Sequence, residues 1–484
     1  MAGVTLLGLG PGEAAKLTRE AWEVLLSASE IWLRTVQHPT VSAFPSTLKV
    51  FSFDDLYEGG ADFASVYEQI VARVLELAQR PQGVIYGVPG DPFIAEATAP
   101  EIARRAHLAG LPVRIVNGLS FIEPLCAALG LDPYPRCALV DALELADAHV
   151  PPFPPDMPAI VAQLYSRLIA AEVKMTLNAV YPDEHPVSLV HAAGTAAAQV
   201  EHVPLYAIDR SEQIGLLTVL YVPPLGEGTS LEAFQEVVAR LRAPDGCPWD
   251  REQTHASLRP HLLEEAYEAL AALDSGDVVK MVEEFGDLLL QIVLHAQIAS
   301  EEGEFGMADV LRQVRAKIIR RHPHVFGDLQ VAGVQGVLQN WEKLKAAERR
   351  AHGQAEKGLL DGVPLALPAL TQAQEYQERA ARVGFDWPVI DGLLEKVVEE
   401  IGEIKAARDH AQLTAEIGDL LFALVNLARW KKIDAESALR AANQRFRARF
   451  AFVEQGARQR GKALPELTLE EMEALWQEAK RHET

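Results

Sequence analysis

Apolar residues in the first 220 or so positions form short β-branched runs separated by longer stretches with helical spacing. TREAWEVLLSASE and FASVYEQIVARVLELAQ are two of the helical stretches. This alternation predicts an α/β domain with a largely parallel sheet, in which ligands bind beyond the carboxyl ends of the strands. The predicted strands, each ending in glycine or a turn, are VTLLGLG, GVIYGVPG, VRIVNG and VSLVHAAG.

The pattern changes in the second half, where long amphipathic stretches replace the β-rich runs and predict an all-α region. Proline-rich residues 151–158 are predicted to be an exposed connection between two lobes of the α/β part, and residues 223–229 to close it. A polar, glycine-containing stretch at 351–358 separates two helical repeats. The predicted organisation is an α/β domain over 1–224, a first repeat over 230–350, a linker over 351–365 and a second repeat over 366–484.

One acidic pattern occurs twice in the helical half, each time as Glu-x-x-Glu followed after a gap by Glu-x-x-Asp. The first pair recurs at an offset of 135 residues and the second at 132. Residues three apart share a helix face, so each set directs carboxylates from two adjacent, antiparallel helices at a common space. Such carboxylates repel one another unless a cation lies between them, and hard oxygen ligands suit Mg²⁺. The predicted metal ligands are Glu265, Glu268, Glu284 and Asp287 in the first repeat and Glu400, Glu403, Glu416 and Asp419 in the second.

A solvated helix face is the alternative interpretation of each acidic pair. The recurrence of both pairs argues against it, as does their position inside apolar runs, because buried charges must be paired or metal-bound. Basic residues follow each set, and Arg321 recurs as Arg449 at an offset of 128. These cations would grip phosphate oxygens or form surface salt bridges, and the sequence leaves both possibilities open. Trp341 and Trp476 follow, with base stacking and core packing as the alternatives.

Composition sets limits on the class of protein. A chain of 484 residues predicts two to four domains, and a net charge of −23 argues against binding to a nucleic acid polymer. The three cysteines show no zinc-ligand spacing, so neither a disulfide framework nor a structural zinc is predicted. We find no signal-like N-terminus and no apolar run of the ~18 residues that span a membrane, so a cytoplasmic protein without a membrane partner is expected.

Three segments of the second half carry a family resemblance: LRAPDGCPWDREQTHASLRPHLLEEAYE (241–268), KIIRRHPHVFGD (317–328) and RAARVGFDWP (379–388). They resemble the MazG family of nucleoside triphosphate pyrophosphohydrolases over roughly 230–484. The resemblance implies Mg²⁺-dependent conversion of an NTP or dNTP to the monophosphate and pyrophosphate, by a homodimer. Because activity in the family is often associated with the C-terminal repeat, the implied catalytic residues are Glu400, Glu403, Glu416 and Asp419, assisted by Lys396, Arg445 and Arg449.

The first half contains glycine loops. GLGPG (8–12) follows a predicted strand, which leaves backbone N–H groups free for a polar ligand, although a tight strand–helix turn is the alternative. It is not the dinucleotide fingerprint, because position 13 is Glu, and no phosphate loop of the G-x-x-x-x-G-K-[ST] type occurs.

Together with GVPGDPF (87–93), NGLSF (117–121) and HAAGTAAAQ (191–199), the GLGPG loop resembles the tetrapyrrole methylases over about 1–222. The resemblance implies a two-lobed domain whose cleft binds S-adenosylmethionine. Phe121 replaces a small hydroxyl residue of the family pattern, which would narrow the cofactor pocket. Fusion of the two domains resembles the YabN type of bacterial protein. The predicted cofactor contacts are Gly8, Gly10, Gly12, Pro89, Gly90 and Asp91.

Three functions therefore follow as hypotheses. The leading one is Mg²⁺-dependent NTP pyrophosphohydrolysis by the helical half. The second is an S-adenosylmethionine-dependent methyltransferase whose helical half serves dimerisation or nucleotide sensing, and the third is a regulatory protein that binds nucleotides without hydrolysing them. The motifs are predicted to contact only the metal and the phosphates of a nucleotide, so they do not predict a base or sugar preference.

Overall fold

The computed structural model describes residues 2–58, 63–331 and 358–482, together with residues 333, 334, 336, 337, 340, 341 and 344. Contacts divide the chain into two units, Met1–Leu241 and Arg242–Thr484. The helix that follows the predicted α/β domain, Leu231–Arg242, falls almost entirely within the first unit. Part of the predicted 351–365 linker lies outside the described residues.

A parallel sheet of five strands, in the order β3-β2-β4-β1-β5, forms the first lobe. Alternate residues of its strands are buried on opposite faces, as parallel sheets require. Leu6 packs into the cluster under Phe63–Ala78 and Thr98–Leu108, while its neighbour Leu7 packs against Arg19–Ser27. The strands are β1 (Val4–Gly8), β2 (Glu30–Leu33), β3 (Lys49–Ser52), β4 (Val84–Val88) and β5 (Val113–Val116).

The second lobe contains a mixed sheet in the order β6-β7-β10-β8-β9, in which only β6 and β7 pair in parallel. The expectation of a largely parallel sheet is therefore wrong for this lobe. A parallel pair needs a long crossover, whereas only residues 192–198 connect β8 to β9. The strands are β6 (Ala138–Asp141), β7 (Ala159–Ala162), β8 (Pro186–His191), β9 (Gln199–Pro204) and β10 (Thr218–Val222).

The proline-rich segment 151–158 does not connect the lobes, so that prediction is wrong. It lies within the second lobe, before β7, and Phe153 is buried in the core of that lobe. The backbone carbonyl of Pro155 accepts a hydrogen bond from Leu225 N at 2.8 Å. The prolines correctly indicated irregular backbone, but the buried Phe153 side chain anchors this segment in the core. Residues 117–137, which include the helix Ile122–Leu129, connect β5 of the first sheet to β6 of the second.

The helices of the first unit lie between the strands along the chain, and the last of them follows β10. They are α1 (Arg19–Ser27), α2 (Asp54–Glu58), α3 (Phe63–Ala78), α4 (Thr98–Leu108), α5 (Ile122–Leu129), α6 (Ala142–Asp147), α7 (Arg167–Leu177) and α8 (Leu231–Arg242). Short 3₁₀ turns complete the unit at Ala14–Lys16, Pro39–Ala43 and Leu205–Arg210.

The described residues of the second unit form helices and no strand, which confirms the predicted all-α region. The first repeat contains α9 (Pro248–Glu252), α10 (Arg259–Ser275), α11 (Val278–Glu301), α12 (Met307–Arg321) and α13 (Pro323–Phe326). The second contains α14 (Ala369–Arg382), α15 (Ile390–Ala406), α16 (His410–Trp430), α17 (Ala435–Gln459), a 3₁₀ turn at Leu464–Glu466 and α18 (Leu469–His482).

Local sequence sets the turns between the acid-bearing helices. Gly276 adopts φ 67° after α10, and the Asp277 side chain then caps α11 by accepting hydrogen bonds from Val279 N and Lys280 N. In the second repeat Asp409 caps α16 by accepting from Gln412 N at 2.8 Å. The turns are short, and α10 packs on α11 as α15 packs on α16. Each repeat therefore holds its two acidic segments side by side.

Candidate active site

In the first repeat the two acid-bearing helices bring three carboxylates together. Ligand oxygens of Glu265 and Glu268 on α10 and of Glu284 on α11 lie within 4.8 Å of one another. Glu265 and Glu284 are half-buried, whereas Glu268 is exposed. Burial and the neighbouring carboxylates raise the pKa of both Glu265 and Glu284 above the ordinary value of 4.5. The two helices therefore concentrate negative charge at one place.

The corresponding triplet of the second repeat is Glu400 on α15 with Glu416 and Asp419 on α16, again within 4.8 Å. Glu400 is only 3% exposed. Its Oε1 forms an ion pair with Lys396 Nζ at 2.8 Å, and Lys396 also reaches Glu399 at 2.9 Å. Both glutamates raise the pKa of Lys396, so this amine stays charged beside the triplet. The assisting catalytic role that the resemblance implies for Lys396 stays a prediction.

Two of the predicted ligands lie outside the triplets but close to them. Asp287 is the largest Coulombic contributor to the raised pKa of Glu265 after burial. Glu403 has its own pKa raised by partial desolvation and by Glu416 and Glu400. All eight predicted acids therefore gather in two clusters, and each cluster has a core of three carboxylates.

The expectation that the apolar runs would bury these acids is wrong for most of them. Glu400 is buried, but Glu268, Glu403 and Asp419 are exposed and the other four are half-buried. The apolar side chains next to them are exposed as well, because they lie on an uncovered face of each helix pair. In α11 Val282 is 72% exposed and Phe285 is 46% exposed.

The predicted basic residues occupy the helix after each acid pair. Arg449 on α17 lies over the ring of Trp476 at 5.6 Å, and Arg321 at the end of α12 lies over Trp341 at 5.5 Å. Each tryptophan therefore contacts an arginine of its own repeat. Trp476 also packs against the apolar cluster around Val453. Arg445 is exposed and makes no ion pair with a described residue. Its role as a phosphate ligand stays a prediction.

The donor set of the second triplet fits a hard divalent cation. Oε2 of Glu400 is buried and has no hydrogen-bond partner among the described residues, which is costly for a carboxylate oxygen. Glu416 and Asp419 supply further oxygens within reach. Carboxylate oxygens with room for water and phosphate are the usual ligands of Mg²⁺. A cation at this point would partner the buried oxygen and relieve the repulsion between the acids.

The glycine loops of the first unit pack on one another. Gly10 and Gly90 form an isolated bridge, in which Gly10 N donates to Gly90 O at 3.1 Å and Gly90 N donates to Gly10 O at 2.9 Å. The expectation that the GLGPG amides are free for a ligand is therefore wrong for Gly10. Glu13, the residue that breaks the dinucleotide fingerprint, accepts a hydrogen bond from Ala196 N at 2.6 Å.

Close approach explains several of these glycines. A Cβ on Gly8 would lie 2.7 Å from the carbonyl oxygen of Gly90, and one on Gly118 would overlap that same oxygen. Gly12 faces Thr195, whose Cγ2 would be 2.6 Å from an added Cβ. Gly90 itself has φ 69°, and an added Cβ there would lie 4.0 Å from Ser120 Cα. The glycines thus allow four loops to meet at the carboxyl ends of the strands.

Asp91 joins these loops from a buried position. Its Oδ2 accepts hydrogen bonds from Asn117 Nδ2 at 3.0 Å and from Gly118 N at 3.2 Å, and its Oδ1 accepts from Phe93 N at 2.8 Å. Phe121 packs on the second lobe's cluster around Leu125. The six predicted cofactor contacts are brought together, and Asp91 ties their GVPGDPF loop to the NGLSF loop.

Sequence reasoning missed two polar groups. Arg34 forms an ion pair with Glu96 at 2.5 Å, where the Glu96 side chain is 1% exposed, and its Nε donates to the Tyr57 hydroxyl at 3.2 Å. A second group in the helical unit places His255 beside His295. Neither pairing has a local sequence signal, because 62 and 40 residues separate the partners.

Two family models match the chain. The model described as the MazG nucleotide pyrophosphohydrolase domain matches residues 253–326 and 389–451, which contain the two acidic clusters. The model described as tetrapyrrole (corrin/porphyrin) methylases matches residues 3–209, which contain the glycine loops.

Similar curated proteins cover the whole chain or its second half. An uncharacterised protein of Bacillus subtilis, YabN, is 41% identical over 100% of this chain and 99% of its own length. The nucleoside triphosphate pyrophosphohydrolase/pyrophosphatase MazG of Thermotoga maritima is 44% identical over 52% of this chain and 96% of its own. The nucleoside triphosphate pyrophosphohydrolase of Escherichia coli K12 is 46% identical over 52% of this chain and 98% of its own.

Proposed function

This chain belongs to the MazG family of nucleotide pyrophosphohydrolases, joined to a tetrapyrrole methylase domain, and on that premise we propose Mg²⁺-dependent NTP pyrophosphohydrolysis as its principal activity. The products are the nucleoside monophosphate and pyrophosphate, from NTP or dNTP substrates. The observation that carries the proposal is the triplet of Glu400, Glu416 and Asp419 around a buried carboxylate oxygen that has no described partner. The family membership supplies the substrate class.

The acids of each triplet would hold the metal. When bound, Mg²⁺ neutralises phosphate charge and lowers the pKa of the attacking water. Glu403 lies at the edge of the second triplet with a raised pKa, and it is the carboxylate we assign to accept a proton from that water. Lys396 holds Glu400 from one side and is positioned to share its charge with a phosphate oxygen.

The second repeat is the one we propose to carry most of the turnover. At the offset of 135 residues, Lys396 corresponds to His261 in the first repeat. His261 Nδ1 lies 3.8 Å from Glu264, so this partner carries charge only when protonated. The positive charge of Lys396 beside Glu400 reduces the repulsion between the second cluster and an anionic substrate. In the first cluster Lys280 acts on Glu284 electrostatically, without the close ion pair that Lys396 makes with Glu400.

Product identity tests this proposal. The full chain is incubated with an NTP and Mg²⁺, and the products are separated by anion-exchange chromatography. Monophosphate and pyrophosphate in equal amounts support it, whereas diphosphate and orthophosphate would contradict it. Comparison of Glu400→Gln/Glu416→Gln with Glu265→Gln/Glu284→Gln then assigns the turnover to a repeat.

A homodimer is the assembly we propose. Exposed apolar residues recur at three- and four-residue spacing on the acid-bearing helices, a pattern that packs against another helix. In α11 they are Val278, Val282, Phe285, Leu289 and Ile292, and in α16 they are Ile417, Leu421 and Leu424.

Among the described residues, α16 is long and apolar enough to cross a membrane by length and composition, with a mean hydropathy of 1.3. Core helices of soluble proteins share this length and composition, so the feature alone does not indicate a membrane span. Since α16 also carries Glu416 and Asp419, we propose that a second copy of the chain covers its apolar face.

Binding of S-adenosylmethionine to the first unit is a second proposed function. It rests on the meeting of the GLGPG, GVPGDPF and NGLSF loops at the carboxyl ends of β1, β4 and β5. Calorimetric titration of the full chain with S-adenosylmethionine tests the binding. Saturable binding at one site per chain supports it, and no heat of binding at millimolar ligand would contradict it.

A further inference from the structure

Two histidines and two glutamates lie together at the end of the first repeat that is remote from its acidic cluster. His255 precedes α10, while His295 is near the end of α11 and Glu302 and Glu304 follow that helix. Asp287 is 14 residues before the last residue of α11, which corresponds to about 20 Å along the helix. This group is therefore separate from the proposed hydrolytic site.

The distances suit a metal ion. One ring nitrogen of His255 and one carboxylate oxygen each of Glu302 and Glu304 lie within 4.8 Å of one another. Ligand atoms ~2.0–2.2 Å from a tetrahedral Zn²⁺ are roughly 3.4 Å apart, so small side-chain movements would bring the three into its coordination sphere. Gly303, with φ 73°, turns the chain between the two glutamates and brings both carboxylates back to the helix end.

His295 fixes the orientation of His255. Their Nδ1 atoms are 2.7 Å apart and the rings stack with centroids at 5.0 Å. A hydrogen bond between the two imidazoles leaves Nε2 of His255 available for a metal ion. Metal-bound histidines usually have their other ring nitrogen held in this manner.

The electrostatics of the helix end favour a cation. The C-terminus of a helix carries partial negative charge, to which Glu302 and Glu304 add their own. Arg242 pairs with Glu301 at 2.7 Å, so that neighbouring carboxylate is already compensated. The backbone amides of Glu302 and Glu304 donate to Ile298 O and Ala299 O, but their carboxylates form no hydrogen bond or ion pair with any residue in the described part of the chain.

The second repeat provides an internal comparison. At the offset of 132, Glu302 and Glu304 correspond to Asp434 and Glu436, so both positions stay acidic. The histidines do not recur: His295 corresponds to Leu427, and His255 corresponds to Ile390 at the offset of 135. Both imidazoles are therefore peculiar to the first repeat, as expected if they act together.

We infer that His255, Glu302 and Glu304 bind a divalent transition-metal ion of the Zn²⁺ type, with His295 as a positioning residue. Imidazole with carboxylate oxygens is a donor set that suits Zn²⁺, whereas the all-carboxylate clusters suit Mg²⁺. The metal links the segment before α10 to the end of α11, and so stabilises the helix pair that carries Glu265 and Glu284.

The test uses the full chain with Glu265→Gln, Glu284→Gln, Glu400→Gln and Glu416→Gln, which removes carboxylates from both acidic clusters. Calorimetric titration with Zn²⁺ in this background should show one ion bound per chain. Adding His255→Ala should abolish that binding, and adding His295→Ala should weaken it about 10- to 100-fold. In the same background, visible absorption of Co²⁺ should report imidazole ligation that disappears with His255→Ala.

Glu302→Gln/Glu304→Gln alters two exposed side chains, so it tests the site without disturbing the packing, and it should also abolish Zn²⁺ binding. The matched control is Glu436→Gln, the counterpart of Glu304 in the second repeat, which should leave binding unchanged. Zn²⁺ binding that survives His255→Ala or Glu302→Gln/Glu304→Gln would overturn the proposal. Absence of Zn²⁺ binding in the starting background would also overturn it.

Discussion

At the scale of single residues, Glu400 determines the charge balance of the second acidic cluster. Its side chain is buried, Lys396 compensates the charge at Oε1, and Oε2 has no hydrogen-bond partner among the described residues. A carboxylate in such a place costs free energy unless its charge is matched. Lys396 therefore compensates part of the negative charge of Glu400 in the absence of metal, and a bound cation would compensate the rest.

Substitution of Glu400 should affect turnover far more than substitution of its neighbour. Glu400→Gln removes a proposed metal ligand and should lower kcat/KM for NTP hydrolysis by at least about 10- to 100-fold. Glu399→Gln is the matched control, because Glu399 also contacts Lys396 but its side chain is 57% exposed. Steady-state pyrophosphate release compares the two, and equal losses would show that the acids act only through Lys396.

At the scale of helices, the carboxylates of each acidic cluster repel one another to an extent that depends on pH. The raised pKa of Glu284 and of Glu403 means that the folded chain holds protons that the unfolded chain has released. Stability from these groups is present below the ordinary pKa of 4.5 and is lost as the pH rises through the raised values. Above that range, the ionised acids destabilise the metal-free helix pairs.

Substitution by Gln should reveal the repulsion between these carboxylates as a difference in melting temperature. In metal-free buffer, Glu284→Gln and Glu403→Gln should have the same melting temperature as the parent chain near pH 4. At pH 7 their melting temperature should be higher than that of the parent, since Gln carries no charge. Glu471→Gln is the control of opposite sign, because Lys462 and Thr468 lower the pKa of Glu471 and its loss should destabilise at pH 7. Variants that melt below the parent at pH 7 would contradict the repulsion described for Glu284 and Glu403.

The glycine loops give a second prediction for local structure. Gly118→Ala would force a Cβ against the Gly90 carbonyl and should cost at least about 1–3 kcal/mol of stability. The variant should also lose S-adenosylmethionine binding while NTP hydrolysis stays unchanged. Gly215→Ala, whose nearest contact would be 4.0 Å away, is the control. Thermal unfolding and ligand titration measure both effects, and a Gly118→Ala chain as stable as the control would refute the close packing of the loops.

Local features of this molecule could be predicted from sequence, and contacts between distant segments could not. Three-residue helical spacing indicated that Glu400 shares a face with Glu403, whereas Lys396 was indicated only by the family resemblance. The meeting of Gly8 with Gly118, the burial of Phe153 and the pairing of His255 with His295 depend on how separate elements pack, for which the sequence has no periodic signal. The glycine loops were recognised, but the use of the Gly10 amide by Gly90 was not.

At the scale of the whole molecule, the apolar stripe along α11 predicts a dimer. The full chain of 53.0 kDa should elute with about twice that mass in light scattering. Val282→Glu introduces a charge into the stripe and should shift the population to monomer. Leu108→Glu, at a residue of the first unit that is 77% exposed, is the control and should remain dimeric. A wild-type monomer, or an unchanged dimer in Val282→Glu, would exclude this face as the interface.

We propose that the helical unit binds metal and phosphate and that the α/β unit binds the methyl donor. The central claim is that the duplicated acid clusters hydrolyse nucleoside triphosphates with a divalent cation. The most direct measurement is pyrophosphate release by the full chain from a panel of NTPs and dNTPs, with Mg²⁺ and with a chelator. Mg²⁺-dependent release that is lost in the Glu265→Gln/Glu284→Gln/Glu400→Gln/Glu416→Gln chain is the predicted result. No release across the panel, or release that persists in the chelator or in that variant, would contradict it.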